Sequence, residues 1–235
     1  MSDPSIDGLG IGRQQLILAG KLSSLGERMG VGWLTYNPLQ MLIYHRYALR
    51  EAPGVIRAFE EVFPQAERYV DVGCGSGAYA AEAIRRGHPT IGLERSAAGR
   101  LLAKRQGVDS RRFDLRDGPP SLDDAPFELA YSFEVAEHLP ADLGQPLVDG
   151  LCGLAPTVVF SAAPPGQGGV GHINEQPQSY WHSRFATRNF RHDPSATHAL
   201  RDSFAASGVK APWLLANPAV YICSSTPLAT RPTDH

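Results

Sequence analysis

Tyr69-Val70-Asp71-Val72-Gly73-Cys74-Gly75-Ser76-Gly77-Ala78-Tyr79-Ala80 is the stretch on which the fold turns. Tyr69 to Val72 is a short apolar run broken by one acid, which reads as a buried strand; the glycines end it at once and a helix opens behind them. Glycine is the residue this turn requires, because a side chain would keep backbone amides from a bound nucleotide-like ligand. Cys74, between two of the glycines, reads as a small side chain in a crowded turn, with a nucleophilic thiol as the alternative.

Outward from this turn, apolar runs alternate with helical stretches: PTIGLE (89–94), SRRFDL (110–115), FELAYSF (127–133), TVVFSA (157–162), WLLA (213–216) and AVYICS (219–224). Such alternation predicts βαβ units and an α/β fold, a seven-stranded, mostly parallel sheet flanked by helices, with the last two runs forming an antiparallel hairpin at one edge. Upstream, Leu16, Ile17, Leu22, Leu25, Met29, Leu39, Leu42, Ile43 and Tyr47 fall near helical spacing, interrupted by glycines and Pro38. The organisation expected is therefore an N-terminal helical extension or lid over residues 1–65, the main domain over 66–225, and a disordered tail over 226–235.

Acids stand at the ends of three successive runs: Asp71, Glu94 and Asp114. The turn alone also satisfies the GxGxxA dinucleotide fingerprint through Gly73, Gly75 and Ala78, and Glu94 suits the ribose hydroxyls of NAD equally well. With Asp114 included, the set resembles the class I, Rossmann-like S-adenosylmethionine-dependent methyltransferases. The resemblance covers about Arg68 to Cys223. It implies cofactor contacts from Asp71, Gly73, Cys74, Gly75 and Gly77, from Glu94 and Arg95, from Asp114 with Leu115, and from Ser132 and Glu134 after the fourth strand.

The segment Ser132-Phe133-Glu134-Val135-Ala136-Glu137-His138-Leu139-Pro140 is similar to the ExLEHV segment of small-molecule enzymes of the ubiquinone O-methyltransferase kind. Its ExxEH spacing lets two carboxylates and an imidazole converge at a helix start, donors that suit Mg²⁺, Mn²⁺ or Zn²⁺. Small-RNA 2'-O-methyltransferases share ExxEH followed by a later histidine, which implies a metal set of Glu134, Glu137, His138 and His172. Without a metal, His138 or His172 is the candidate general base. The loop from Pro165 to Trp181 resembles one in bacterial methyltransferases that decorate sugars or secondary metabolites. It offers His172, Asn174, Glu175, Tyr180 and Trp181 as an acceptor pocket.

Composition sets the outer limits. The chain has 235 residues, 43% hydrophobic, with 22 Lys+Arg against 24 Asp+Glu and a formal net charge of -2, so no global basic field favours nucleic acid. No apolar run approaches the roughly 20 residues of a membrane span, which predicts a cytoplasmic protein. Three cysteines in no CxxC pair argue against a disulfide framework or zinc knuckle. The expectation is S-adenosylmethionine-dependent O-methylation of a small hydroxylated acceptor in bacterial secondary metabolism, with Mg or Mn as an optional cofactor. A homodimer is one open assembly state. The competing readings are an NAD-dependent oxidoreductase, which lacks a YxxxK pair here, a non-methylating S-adenosylmethionine-binding protein, and an RNA 2'-O-methyltransferase.

Overall fold

The computed structural model describes residues 13–29, 37–118, 120, 122 and 127–224. Two helices precede the glycine turn: α1 (Arg13–Met29) and α2 (Pro38–Val62). Pro38 begins α2 rather than breaking a helix, since a proline at the first helical position loses no intrahelical bond. The Asn37 side chain caps it by accepting from the amides of Leu39 and Gln40, at 3.1 and 3.0 Å.

The strands are β1 (Tyr69–Val72), β2 (Thr90–Glu94), β3 (Asp109–Arg112), β4 (Leu129–Phe133), β5 (Thr157–Ser161), β6 (Phe190–His192) and β7 (Ala219–Cys223). They form one sheet in the order β3-β2-β1-β4-β5-β7-β6. Pairing is parallel from β3 through β5, while β7 runs antiparallel to both β5 and β6. The remaining helices are α3 (Ala78–Arg85), α4 (Ala97–Arg105), α5 (Gly144–Leu154), α6 (Gln178–Ala186), α7 (Pro194–Ala206) and α8 (Pro212–Ala216).

The expected α/β fold with a seven-stranded, mostly parallel sheet is therefore the one observed, but its antiparallel edge is built differently. Trp213–Ala216 is helix α8, not a strand. An unbroken apolar run has no period to separate strand from helix, and Pro212 at its first position starts a helical turn. The edge strand is β6, only three residues long, entered through Asn189 with φ at +59°. So short a strand carries almost no alternation to read.

Strand alternation sorts the core into two layers. Val70, Val72, Ala130, Val158, Phe160 and Tyr221 meet α5 and α6 through Leu147, Leu151, Trp181 and Phe185. Tyr69, Leu129, Tyr131, Val159 and Val220 meet α2 and α7 through Val55, Ile56, Phe59, Leu200 and Phe204. Phe59, fully buried, has ring centroids 5.3 to 6.3 Å from Tyr69, Tyr131, Phe133 and Phe204. The second half of α2 is thus core, and only its first half is available to cover a site. Gly54 allows that packing: a Cβ there would stand 2.9 Å from the Val209 side chain and 3.0 Å from the Ser207 carbonyl. No helix among the described residues is long and apolar enough to cross a membrane. The tail 226–235 lies outside the described residues.

Candidate functional site

A cavity of about 1460 Å³ opens at the carboxyl ends of β1, β2 and β4, under the first half of α2. Ligands of open α/β sheets bind at such strand ends, where the helices diverge.

The glycine turn makes one side. Gly73, Gly75 and Gly77 all hold positive φ, at +81°, +54° and +73°. Their side-chain directions differ in what they meet. A Cβ on Gly73 would overlap Val135, and one on Gly77 would stand 2.7 Å from the Ala103 Cβ, so that glycine serves the packing of α3 against α4 and does not line the cavity. At Gly75 the nearest neighbour would be the Met41 Cε at 3.8 Å, and the space is the cavity itself.

Glu94 is held from two sides, its carboxylate accepting from the Gly75 amide at 2.9 Å and from the Ser96 amide at 2.5 Å. Burial raises its pKa and these amides oppose that rise. A carboxylate has about four acceptor positions, so two remain for ligand hydroxyls. Asp114 stands across the cavity with Leu115 and Phe113. Its carboxylate takes the Arg116 guanidinium at 2.8 and 3.0 Å, which holds its pKa low. Arg116 therefore competes with any ligand amine for that acid. Arg95 and Cys74 also line the cavity. The Cys74 thiol packs against Gly92, where a Cβ would stand 2.7 Å from the sulfur, and burial pushes its pKa well up, which tells against the nucleophilic reading.

Besides Gly77, two further residues expected at the cofactor, Asp71 and Ser132, do not line the cavity. Asp71, third in β1, turns by strand alternation to the Tyr69 and Tyr131 layer, is 3% exposed, and its Oδ2 has no partner. Burial raises its pKa well above the usual carboxylate value. Ser132 is fully buried within β4 for the same reason.

After β4 the chain turns through Glu134 at φ +53°, a left-handed conformation that costs a non-glycine residue on the order of 1 kcal/mol. Its carboxylate accepts from the Ser161 hydroxyl at 2.8 Å, the Gln167 amide at 2.8 Å and the Asn217 amide at 3.1 Å. Those bonds leave Glu134 beside Glu137 but outside the cluster in which the other three expected metal ligands meet. Glu137, His138 and His172 do converge, with donor atoms all within 4.8 Å of one another. Glu137 is fully buried and neither carboxylate oxygen has a hydrogen-bond partner; burial, reinforced by Glu134, raises its pKa to about 9. The His138 Nδ1–H donates to the Gly171 carbonyl at 3.1 Å, and burial lowers its pKa to about 4. The His172 Nδ1–H donates to Glu175 at 2.9 Å, directing its other nitrogen toward Glu137 at 4.0 Å.

Glu175 is thus a clamp and no part of the cavity lining: it also accepts from the amides of Gly166 and Gly168, both at 2.7 Å, and folds the glycine-rich loop. The other expected acceptor residues are likewise displaced. Asn174 is buried, donating to the Ala136 carbonyl at 3.4 Å and accepting from Gln176. Trp181 packs on Phe160 in the core, and Tyr180 lies under the Arg184 guanidinium. None of the three lines the cavity. Its unassigned wall is instead Met41, Tyr44 and Tyr47 from α2 with Trp213 from α8. The helical spacing of 41, 44 and 47 is a usable sign of a common face; Trp213 lies in an apolar run that reads equally as a strand.

A family model described as a methyltransferase domain matches residues 44–146. No curated protein matches the chain. Among solved structures, CalS10, an amino pentose methyltransferase from Micromonospora echinaspora, gives a TM-score of 0.58 at 16% identity, covering 75% of this chain and 91% of that one. The sugar N-methyltransferase KedS8 from Streptoalloteichus gives 0.50 at 16% identity, over 60% and 80%. A magnesium protoporphyrin IX methyltransferase from Synechocystis, with S-adenosylmethionine bound, gives 0.54 at 13% identity, over 90% and 97%. These likenesses are of fold.

Proposed function

With the fold of the class I S-adenosylmethionine-dependent methyltransferases as the premise, we propose that the chain transfers a methyl group from S-adenosylmethionine to a small hydroxylated acceptor, a sugar-like compound or secondary metabolite. The observation that carries the reading is one cavity lined both by a cofactor cradle (Gly75, Glu94, Asp114, Leu115) and by a pair of histidines. Glu94, its carboxylate already oriented by two backbone amides, takes the ribose hydroxyls, and the Asp114–Leu115 corner takes the adenine edge. The bound cofactor supplies an electrophilic methyl carbon. The protein's own work is alignment of the acceptor and removal of its proton.

Of the two histidines, His172 is the better base. His138, at a pKa of about 4, binds a proton too weakly for neutral pH, whereas Glu175 on the Nδ1–H of His172 orients its lone pair on Nε2. The antiparallel β7 between β5 and β6 also tells against the NAD reading, because the second mononucleotide-binding half of a dinucleotide fold continues in parallel strands. The first half of α2 lies over the cavity, so the N-terminal helices contribute to acceptor choice.

A divalent ion, taking up the His172 lone pair in place of its role as free base, is favoured as a second reading by one observation: Glu137 is buried with neither oxygen hydrogen-bonded, and one of its oxygens lies within 4.8 Å of a nitrogen of His138 and of His172. Glu137, His138 and His172 would hold it, a mixed nitrogen and oxygen set suited to Mn²⁺ or Zn²⁺ more than Mg²⁺. Such an ion would polarise an acceptor hydroxyl and lower its pKa.

Calorimetric titration with S-adenosylmethionine, S-adenosylhomocysteine and NAD tests the main reading; tighter binding of NAD than of either sulfur compound refutes it. For the ion, the protein is stripped with EDTA and melted with and without Mn²⁺ or Zn²⁺. A rise in Tm that His172→Gln removes supports the site, and no rise with either metal refutes it.

A further inference from the structure

The cavity is larger than a cofactor alone requires, since pockets of roughly 300–1,000 Å³ enclose whole drug-sized ligands and this one measures about 1460 Å³. Beyond the cradle and the histidines, Tyr44 and Tyr47 of α2, Trp213 of α8, Leu139 and Leu143 ahead of α5, and Ile173 at the end of the glycine-rich loop line it. All six keep part of their surface uncovered, and Ile173 is 67% exposed. Large apolar side chains left open in one shared cavity are surface that a ligand can cover.

The polar groups on the same wall are already engaged within the protein. One oxygen of Glu134 accepts from the Ser161 hydroxyl at 2.8 Å and the Asn217 amide at 3.1 Å, the other from the Gln167 amide at 2.8 Å and Asn217 at 3.3 Å, so the carboxylate is filled. The Gln167 carbonyl in turn accepts from Asn217 at 2.8 Å. The Gln40 carbonyl accepts from the Ser23 hydroxyl at 3.5 Å, and the Ser76 hydroxyl is hydrogen-bonded to His45 at 2.9 Å. Arg50 lies over the Tyr47 ring at 5.4 Å, and Trp213 meets that ring at 72°, so the two rings give contact area at an angle and no common platform.

We propose that the acceptor subsite takes a phenol, its apolar body covering Tyr44, Leu139, Ile173 and Trp213 and its single hydroxyl presented to His172. The proposal rests on the methyltransferase reading and narrows it to acceptors with one hydroxyl and little else to satisfy. A sugar brings several hydroxyls, and each one buried against this wall forfeits its hydrogen bonds with water and finds none in return. An apolar body gains with every carbon covered. The base points the same way. The acceptor oxygen takes the methyl group while the cofactor's sulfur keeps the electron pair of the broken bond, and the acceptor's proton goes to the His172 Nε2. An imidazole removes that proton more readily from a phenol, with a pKa of about 10, than from an aliphatic hydroxyl, whose acidity is nearer that of water at about 15.7.

The test uses the full chain saturated with S-adenosylhomocysteine, titrated by calorimetry with 4-ethylphenol, 4-propylphenol, 4-butylphenol and methyl β-D-glucopyranoside. The phenols bind, each added methylene tightening the complex by up to about fourfold, the worth of a buried CH₂. The glucoside binds at least about tenfold more weakly than 4-butylphenol. Ile173→Ser weakens 4-butylphenol by about fivefold or more, while the dissociation constant of S-adenosylhomocysteine stays within about twofold, which also certifies the fold. Leu101→Ser, at a residue 53% exposed but outside the cavity, changes neither. With S-adenosylmethionine as donor, 4-butylphenol is methylated and 4-butylcyclohexanol, of similar shape but with an aliphatic hydroxyl, is not. A glucoside bound as tightly as 4-butylphenol, no gain along the alkyl series, equal losses in Ile173→Ser and Leu101→Ser, or methylation of the cyclohexanol at the rate of the phenol overturns the proposal. Should S-adenosylhomocysteine itself not bind, the methyltransferase reading falls separately, and the same titrations on the cofactor-free chain decide the subsite.

Discussion

Replacing Gly75 by valine separates what the glycine turn does for the fold from what it does for the ligand. The residue sits at φ +54°, where a side chain costs about 1–2 kcal/mol in backbone conformation. Among the described residues nothing adds to that cost at the Cβ, whose nearest atom would be the Met41 Cε at 3.8 Å. For a chain of this length the loss lowers Tm by roughly 2–8 °C, at about 2–4 °C per kcal/mol. The valine methyls, however, enter the cavity where the cofactor must touch the turn. Affinity for S-adenosylhomocysteine should fall at least about a hundredfold, or about 2.7 kcal/mol. Gly77→Val is the matched control. Its Cβ would stand 2.7 Å from the Ala103 Cβ outside the cavity, so it should destabilise the fold more than Gly75→Val does. Differential scanning calorimetry supplies the melting temperatures and isothermal titration the affinities. Gly75→Val binding S-adenosylhomocysteine within about threefold of the parent would refute the assignment of this turn as the cofactor cradle.

Glu94→Ala should cost about 1–3 kcal/mol of S-adenosylhomocysteine affinity by the loss of charge-assisted hydrogen bonds; an unchanged dissociation constant by calorimetry would remove it from the site. Gly54→Val forces side-chain atoms into Val209 and the Ser207 carbonyl and should destabilise the chain by about 1–3 kcal/mol, read from urea unfolding, with no loss if α2 does not pack there. Burial lowers the pKa of both His182 and His192, whose rings stack at 4.3 Å. The unfolded chain then binds protons first, so stability is held above the ordinary histidine pKa of about 6.5 and declines as pH falls below it. His182→Asn should flatten that decline in melts between pH 5 and about 7, and an unaltered slope would count against it. Protease cleavage before Glu60 should slow when S-adenosylhomocysteine is bound, since the first half of α2 covers the cavity; equal rates with and without it would exclude a covering role.

Local chemistry made the cradle legible in the amino-acid sequence. A glycine turn directly after an apolar strand, with acids at the ends of the next two, can be recognised because each signal lies within a few residues of its cause. Gly73, Gly75, Glu94, Asp114 and Leu115 accordingly line the cavity, as do His138 and His172. Which way a side chain faces, and what already occupies it, depended on partners far along the chain. Strand alternation turned Asp71 and Ser132 away from the cavity. Ser161, Gln167 and Asn217, 27, 33 and 83 residues distant, took the carboxylate of Glu134 out of the metal cluster its ExxEH spacing had implied. The aromatic wall of the cavity was least legible of all. Trp213 lies in an apolar run whose period fits strand and helix alike, and it meets Tyr47 only because Glu51 binds the amides of Lys210 and Ala211, a contact 159 to 160 residues away in sequence. Local pattern could find the residues that bind through their own backbone turn; only packing could decide which distant side chains share a cavity with them.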